Sequence, residues 1–416
     1  MLKKLQIKGV DPAPQIDLDC ASRLNILTGD NGLGKTFLLD IIWWCISRKW
    51  RKNLIIPTNQ LPEKPEISYT LLIPGTDEVE LSRSYFDYPK RWRDTLLTDL
   101  LSYPARKKIA IYAQVDGGFS ISISTNNKIA ENRVLNFSPL EIWNGIRTKN
   151  KVLCNGLIDD WIKWQNYPDQ SNFQLLSRVL KQLSATNETI SVGEPTRIDP
   201  YDIRDIPTIK LPYETIPVTH ASAGIKRILS LAYILVWVQS ENLITSKLLK
   251  EEPAHQLIFL MDETEAHLHP RWQRTILPAI LKIIEELQEK MTVQAFITTH
   301  SPLVLASVEP IFDAEQDKLF LFELNQNEVT LNEIPWAKQG DVIGWLTSEI
   351  FGLKQARSKE AEQAIEAAQA WMRKDDMSQF PENLNTKEKI HQQLLKLLPG
   401  HDPFFPRWIV RMEADD

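Results

Sequence analysis

The sequence predicts an α/β fold: a mixed β-sheet core with helices and a β-rich N-terminal subdomain, an inserted helical lobe and a short helical C-terminal tail. Three observations predict it. A β-prone run at 24–28 leads into a glycine loop and then a helical pattern at 37–46. Two further apolar runs, 255–261 and 293–299, end in polar residues, as strands buried on both faces of a parallel sheet do. Between the glycine loop and these runs lie segments with apolar residues at helical spacing, 157–164 and 173–183.

The chain has 416 residues, 43% hydrophobic and 25% charged, which suits an ordinary globular protein with a large core. The formal net charge of -6 excludes a uniformly basic coat for nucleic acid but leaves room for a local patch. Lys49, Arg51, Lys52, Arg91, Arg93, Arg106, Lys107 and Lys108 are candidates for one, although a solvated face is the plainer reading of each. No secretory leader is expected. The apolar run 228–238, broken by Ser230, is too short to cross a bilayer and reads as a buried helix, so no membrane role is expected. Cys20, Cys45 and Cys154 are scattered and odd in number. They suggest neither a disulfide framework nor a zinc site, and a reducing cytoplasm fits.

Residues 29–36 fill every position of Gly-x-x-x-x-Gly-Lys-Thr between a strand and a helix. Gly29, Gly32 and Gly34 let the backbone curl until its N–H groups face a phosphate, and Asn31 belongs to the same loop. The helix start adds partial positive charge. Lys35 carries a compact cation to the β- and γ-phosphates, and Thr36 offers a hydroxyl to Mg²⁺. ATP and Mg²⁺ are therefore the expected cofactors.

The run 255–261 ends in Asp262 and Glu263. Asp262 would hold Mg²⁺, directly or through water, and Glu263 would polarise the attacking water as general base. Alone, two solvated acids at a strand end would explain them as well; a P-loop in the same chain weighs for the chemistry. His300 follows the run 293–299, beyond the carboxyl end of a strand, where ligands sit in such sheets. It is placed to reach a γ-phosphate. Ser222 and Gly224 open an apolar helix, a second start suited to phosphate. One nucleotide needs one cradle, so this second start points to the nucleotide of another subunit. An ordinary N-cap accounts for either residue taken singly.

In chain order these pieces resemble the Walker A, signature, Walker B and switch-histidine elements of ABC/SMC-head ATPases. Asp262, Glu263, Glu265, His267, Leu268, His269 and Pro270 resemble the Asp-Glu-x-Glu-x-His-Leu-His-Pro stretch of soluble ABC ATPases from bacterial anti-phage systems and of OLD nucleases. The resemblance puts Glu265, His267 and His269 in the D-loop, which contacts the partner subunit in ABC enzymes, and so disfavours a metal pair. The signature departs from the common form: Ser222 and Gly224 match, while Ala223 stands for a glycine and Ile225 for a glutamine. Binding to the partner's phosphate is implied and its strength is left open. Two residues compete as the Q-loop amide. Gln114 follows a strand-like run but precedes an apparent hairpin return at 119–123. Asn155 lies in a segment resembling the strand-Gln-Gly-x-Ile-Asp of SMC-like heads, and it is favoured.

The expected plan is an N-terminal half of the head at 1–128, an inserted helical lobe and proline-rich link at 129–218, a C-terminal half at 219–335, and a helical tail at 336–416 that meets a partner or another copy. No long heptad array is present, unlike an SMC rod. The acidic pattern of a Toprim nuclease is not found after Gly340, and His401 with Asp402 reads as packing, so no nuclease site is expected in this chain. Phe351, Gly352, Leu353, Arg357 and Ser358 resemble the element that follows the head in PtuA-like ATPases of Septu and retron systems, with the AriA ATPases of PARIS next. The resemblance implies a cytoplasmic, slow ATPase that dimerises head to head around ATP, forms higher homo-oligomers, controls a separate effector nuclease of the HNH type and has a possible DNA contact. The alternatives are a DNA-repair ATPase of the RecF/SMC kind and a regulator of a Toprim nuclease of the PARIS type. A transporter subunit is disfavoured by the His-Leu-His-Pro stretch.

Overall fold

The computed structural model describes residues 1–51, 55, 57, 65–72, 79–87, 91–96, 107–123, 133–184, 189–288 and 291–414. They form two compact units, Met1–Lys338 and Gln339–Asp416. The first opens with β1 (Leu2–Val10), β2 (Ala13–Asp19), β3 (Leu24–Gly29) and α1 (Lys35–Ser47). Strands β4 (Glu66–Leu72), β5 (Val79–Asp87), β6 (Arg91–Leu96), β7 (Lys108–Ala113), β8 (Phe119–Ile123) and β9 (Arg133–Phe137) follow. Next come α2 (Pro139–Asn144), the short pair β10 (Ile146–Arg147) and β11 (Val152–Cys154), and the helices α3 (Leu157–Asn166) and α4 (Ser171–Leu183). A small antiparallel sheet of β12 (Ser191–Val192), β13 (Thr208–Lys210) and β14 (Thr215–Pro217) precedes the long α5 (Ala223–Leu249). The unit closes with β15 (Gln256–Met261), α6 (Pro270–Gln288), β16 (Thr292–Thr298), α7 (Pro302–Val308), β17 (Asp317–Asn325) and β18 (Glu328–Ile334).

Among the described residues, an eight-stranded sheet runs β18-β17-β3-β16-β15-β7-β8-β9. Its middle strands, from β17 to β7, are parallel, and β18, β8 and β9 add antiparallel edges. Every residue of β15 is buried, which explains its unbroken apolar sequence. Each fully buried Leu, Ile or Phe there contributes about 1.5–3 kcal/mol. A second, antiparallel sheet runs β2-β1-β4-β5-β6. Helix α1 shares one core with both sheets: Leu38, Ile41, Ile42 and Trp43 pack with Leu5 and Ile7 of β1 and with Tyr112, Leu260 and Phe296 of the larger sheet. The helix that begins at the glycine loop is therefore held on several sides. Gln294, a polar residue inside β16, ties the sheets together. Its amide accepts from Leu2 N at 2.8 Å and donates to Leu2 O at 2.8 Å and Ala21 O at 2.7 Å. The buried group is satisfied at both ends, as it must be.

The run 228–238 is the buried middle of α5. Among the described residues α5 is the helix long and apolar enough to cross a membrane, and 72% of its most apolar window is buried inside this fold.

The second unit contains α8 (Val342–Thr347), α9 (Lys359–Arg373), α10 (Lys387–Leu397) and α11 (Phe404–Ala414). The small face of α9, with Ala361, Ala364, Ala367 and Ala368, meets Ile390 and Leu394 of α10 and Phe405 and Trp408 of α11. Asp402 is buried, pairs with the Arg357 guanidinium and accepts from Phe404 N at 2.9 Å, a packing and capping role at the start of α11.

Candidate nucleotide site

Four neighbouring parallel strands, β3, β16, β15 and β7, end together. The register pairs Leu27 with Thr298, Ile297 with Met261, and Met261 with Ala113. The residues that leave these strands are the glycine loop, His300, Asp262 with Glu263, and Gln114. They emerge side by side on the carboxyl edge of the sheet, where α/β folds bind ligands.

The loop has the backbone its glycines were expected to provide. Gly29, Gly32 and Gly34 have φ of 125°, 80° and 100°. A Cβ on Gly29 would meet Phe322 O at 2.3 Å, and one on Gly34 would meet Pro12 Cγ at 2.4 Å. Asn31 and Gly32 lie exposed. Lys35 is buried and its ammonium folds back on the loop, donating to Gly29 O at 2.8 Å and Asp30 O at 2.6 Å. Burial lowers its pKa to about 8, against the opposing pull of Glu263, Asp262 and Asp30. An anion over the loop N–H groups would satisfy the cation that these carbonyls now hold.

Asp262 is 2% exposed and its carboxylate is shared. Thr36 Oγ1 donates to Oδ2 at 2.9 Å and Thr298 Oγ1 donates to Oδ1 at 2.8 Å. Burial raises the pKa of Asp262, while the two threonine hydrogen bonds work to lower it. A hydroxyl and a carboxylate meeting at a glycine loop are hard oxygen donors, the set that suits Mg²⁺ with phosphate. The residues therefore fit both expected cofactors. Glu263 has φ of 46°, a left-handed backbone unusual for a side chain of this kind, and its N–H donates to Thr298 Oγ1 at 2.7 Å. Its Oε1 lies 3.8 Å from His300 Nε2.

The buried guanidinium of Arg227, in the first turns of α5, spans two of these strand ends. Nη1 donates to Gln114 O at 3.3 Å and Val115 O at 3.0 Å; Nη2 donates to Asp262 O and Glu263 O, each at 3.2 Å. The Gln114 side chain donates to Ser120 Oγ at 3.1 Å and accepts from Arg51 Nη1 at 2.6 Å. Arg51 also binds Asp40, Nε to Oδ1 at 2.7 Å, with its guanidinium 4.8 Å from the Tyr112 ring centre. Thr298 and Arg227 join the site although the sequence motifs do not single them out. In the sequence Arg227 stands next to Lys226, directly before the apolar run 228–238 of the same helix. Arg51, a candidate for a basic patch that reads more plainly as part of a solvated face, turns inward instead.

Gln114, not Asn155, stands beside Asp262. The hairpin of β7 and β8 exists, yet it does not remove Gln114 from the site, because β7 lies directly against β15 and the turn begins at the strand's carboxyl end. Asn155 is committed elsewhere. Its Nδ2 donates to Asp160 Oδ1 at 2.7 Å, and Tyr233 Oη donates to Asp160 Oδ2 at 2.8 Å. Tyr233 is six residues beyond Arg227, or about 9 Å along α5. The two amides thus serve two different parts of the fold.

Ser222 caps α5, accepting from Ile225 N at 3.4 Å, and remains exposed. A Cβ on Gly224 would lie 3.0 Å from His267 O, so the glycine permits close approach to the segment after Glu263. Within that segment His267 and His269 are exposed, and His269 Nδ1 accepts from Arg271 N at 3.3 Å. Glu265 points back at its own chain, to Thr299 and His300. Of the basic candidates, Lys107 binds Glu251 at 2.7 Å. Lys52, Arg106 and the side chains of Arg91 and Arg93 lie outside the described residues.

A mixed α/β sheet with a P-loop at one strand end and the Asp262–Glu263 pair two strands away is the layout of a P-loop nucleotide-binding fold. The family model described as an AAA ATPase domain matches residues 121–305. The chain is similar to Septu protein PtuA of Bacillus thuringiensis, 23% identical over 412 residues, which cover 95% of this chain and 93% of that protein. It is also similar to the "Retron Vc95 probable ATPase" of Vibrio cholerae serotype O1 biovar El Tor, 29% identical over 39% of this chain and 30% of that protein. Among solved structures it resembles the SMC head domain from Thermotoga maritima, with a TM-score of 0.44 and 13% identity over 80% of this chain and 99% of that one. The similarity to Septu protein PtuA extends along nearly the whole chain.

Proposed function

We propose that this ATPase closes with a second copy of itself around ATP and Mg²⁺, and that the change of state controls a separate effector nuclease in anti-phage defence. The observation that carries the nucleotide part is the Asp262 carboxylate held between Thr36 of the P-loop helix and Thr298 of the switch strand. In this reading the bound metal supplies charge neutralisation for phosphoryl transfer. Gly29, Asn31, Gly32 and Gly34 offer the backbone cradle, with Lys35 as the cation on the phosphates. Thr36 and Asp262 hold the metal. Glu263 takes the proton from the attacking water, and His300, within reach of Glu263, orients on the same side.

The second copy enters through Ser222. Its hydroxyl caps an exposed helix start, and a helix N-terminus receives anions well. Ser222 and Gly224 of one copy then face the phosphates bound by the other. A switch of this kind needs unequal affinity for its two states more than fast turnover. Similarity to Septu protein PtuA supports the defence role, and the HNH type of effector is the reading it favours. A higher homo-oligomer and cytoplasmic location belong to the same proposal. The RecF/SMC repair reading finds less support, because Arg51 and Lys107 of its basic face are engaged by Asp40 and Glu251.

Glu263→Gln tests the whole reading. It should keep ATP binding, lower hydrolysis by about 10²–10⁴-fold and accumulate ATP-dependent dimers on sizing columns. Hydrolysis at the wild-type rate would remove Glu263 from the mechanism.

A further inference from the structure

Glu263 and Glu265 are separated by one residue and face different tasks. Glu263 leaves β15 with φ of 46°, and His267 closes the turn with φ of 62°. This compact turn brings the Glu265 carboxylate back over the end of β16. Oε2 accepts from Thr299 Oγ1 at 2.8 Å, and Oε1 accepts from the His300 backbone N–H at 2.5 Å. One carboxylate therefore grips two successive residues where the sheet ladder has ended. Hydrogen bonds to a charged acceptor are about twice as strong as neutral ones. Thr299 is fully buried, so the grip has a fixed base. Gly224 at the start of α5 approaches His267 O on the same turn. The turn thus touches the signature helix through His267 and the switch strand through Glu265.

We infer that Glu265 is a positioning residue for His300: its carboxylate fixes the histidine's backbone, and so transmits the state of the turn at 263–268 to the switch histidine. The inference rests on the ATPase reading above, with Glu263 and His300 in the reaction. Glu265 touches no reacting atom in this account. It acts by setting where the His300 ring stands, and a displacement of about 1 Å in such a group can cost 10²-fold in rate.

The test is a double-substitution cycle on the full chain, with steady-state ATP hydrolysis as the readout. Glu265→Ala should lower kcat by about 10²-fold with little change in KM. Glu265→Gln should keep most of the rate, because its amide oxygen still accepts from His300 N. Combining Glu265→Ala with His300→Ala should cost no more than His300→Ala alone, since Glu265 acts through the histidine. Losses that multiply in the double variant, a glutamine variant as slow as the alanine one, or an alanine variant at the wild-type rate would each overturn the inference. If the alanine variant does not fold, Glu265→Asp, one methylene too short to hold both partners, takes its place in the cycle. Lys35→Ala and Glu263→Gln are measured alongside. Turnover that survives those two defeats the ATPase reading itself; turnover lost in both, with a multiplicative cycle, defeats only the role of Glu265.

Discussion

Thr298 Oγ1 donates to Asp262 Oδ1 at 2.8 Å and accepts from the Glu263 backbone N–H at 2.7 Å. One hydroxyl on β16 thereby sets both acids of β15. Thr298→Val keeps the shape and removes both bonds, so ATP binding should persist while kcat falls by about tenfold or more. Thr298→Ser should restore the rate. Nucleotide titration beside turnover measurements separates the two effects; a valine variant with normal kcat contradicts the assignment.

Arg227 is buried and its four acceptors are backbone carbonyls from two strand ends. Arg227→Ala should lower stability by about 2–4 kcal/mol, because buried carbonyls lose a charged donor. Arg227→Lys should not restore it, since a point charge cannot span all four. Chemical denaturation of both variants checks this, and a fully stable lysine variant counts against it.

Gln114 and Asn155 should part company on substitution. Gln114→Ala should reduce ATP turnover with a modest stability change. Asn155→Ala should cost about 1–2 kcal/mol, since buried Asp160 loses a donor, and leave turnover per folded molecule near normal. The opposite pattern would mark Asn155 as the Q-loop amide.

Gly34→Ala should disable nucleotide binding. Gly34 has φ of 100°, and the added Cβ would sit 2.4 Å from Pro12 Cγ, so the loop must move. Binding of a fluorescent ATP analogue measures the loss. Unchanged affinity would show that the loop tolerates a side chain there.

In the second unit, hydrogen bonds from Arg357 hold the Asp402 carboxyl below its ordinary value of 3.8. A depressed folded value means the contribution is complete above 3.8 and fades as pH falls through the folded value. Acid should therefore loosen α11 below pH about 4 in the wild type. Asp402→Asn should be less stable at neutral pH by about 1–3 kcal/mol and lack this acid step. Hydrogen exchange of the α11 amides from pH 6 to pH 3 reads both.

The parts of the fold legible in sequence were those with strong local rules. The glycine spacing at 29–36 required a phosphate-type turn, and the unbroken apolar run before Asp262 required a strand covered on both faces. The cap at Ser222 followed from residue type. What was hidden depended on contacts across the sheet. Nothing local to Gln114 says that β7 lies against β15, and a hairpin turn looked like a reason to pass over it. Arg227 reads as an ordinary charge at a helix start until four carbonyls, from residues far apart in sequence, surround it. Arg51 looked solvated because its partners, Asp40 and Gln114, are 11 and 63 residues away.

The central claim is that the complete ATP site is shared between two copies, with Lys35 on one and Ser222 on the other. The most direct measurement mixes two inactive variants, Lys35→Ala and Ser222→Arg, and records ATP hydrolysis. Each should be inactive alone. The mixture should recover activity, because a mixed pair has one site with an intact P-loop from the Ser222→Arg copy and an intact helix start from the Lys35→Ala copy. A Ser222→Arg variant that hydrolyses ATP normally by itself, or a mixture that stays inactive, contradicts the claim.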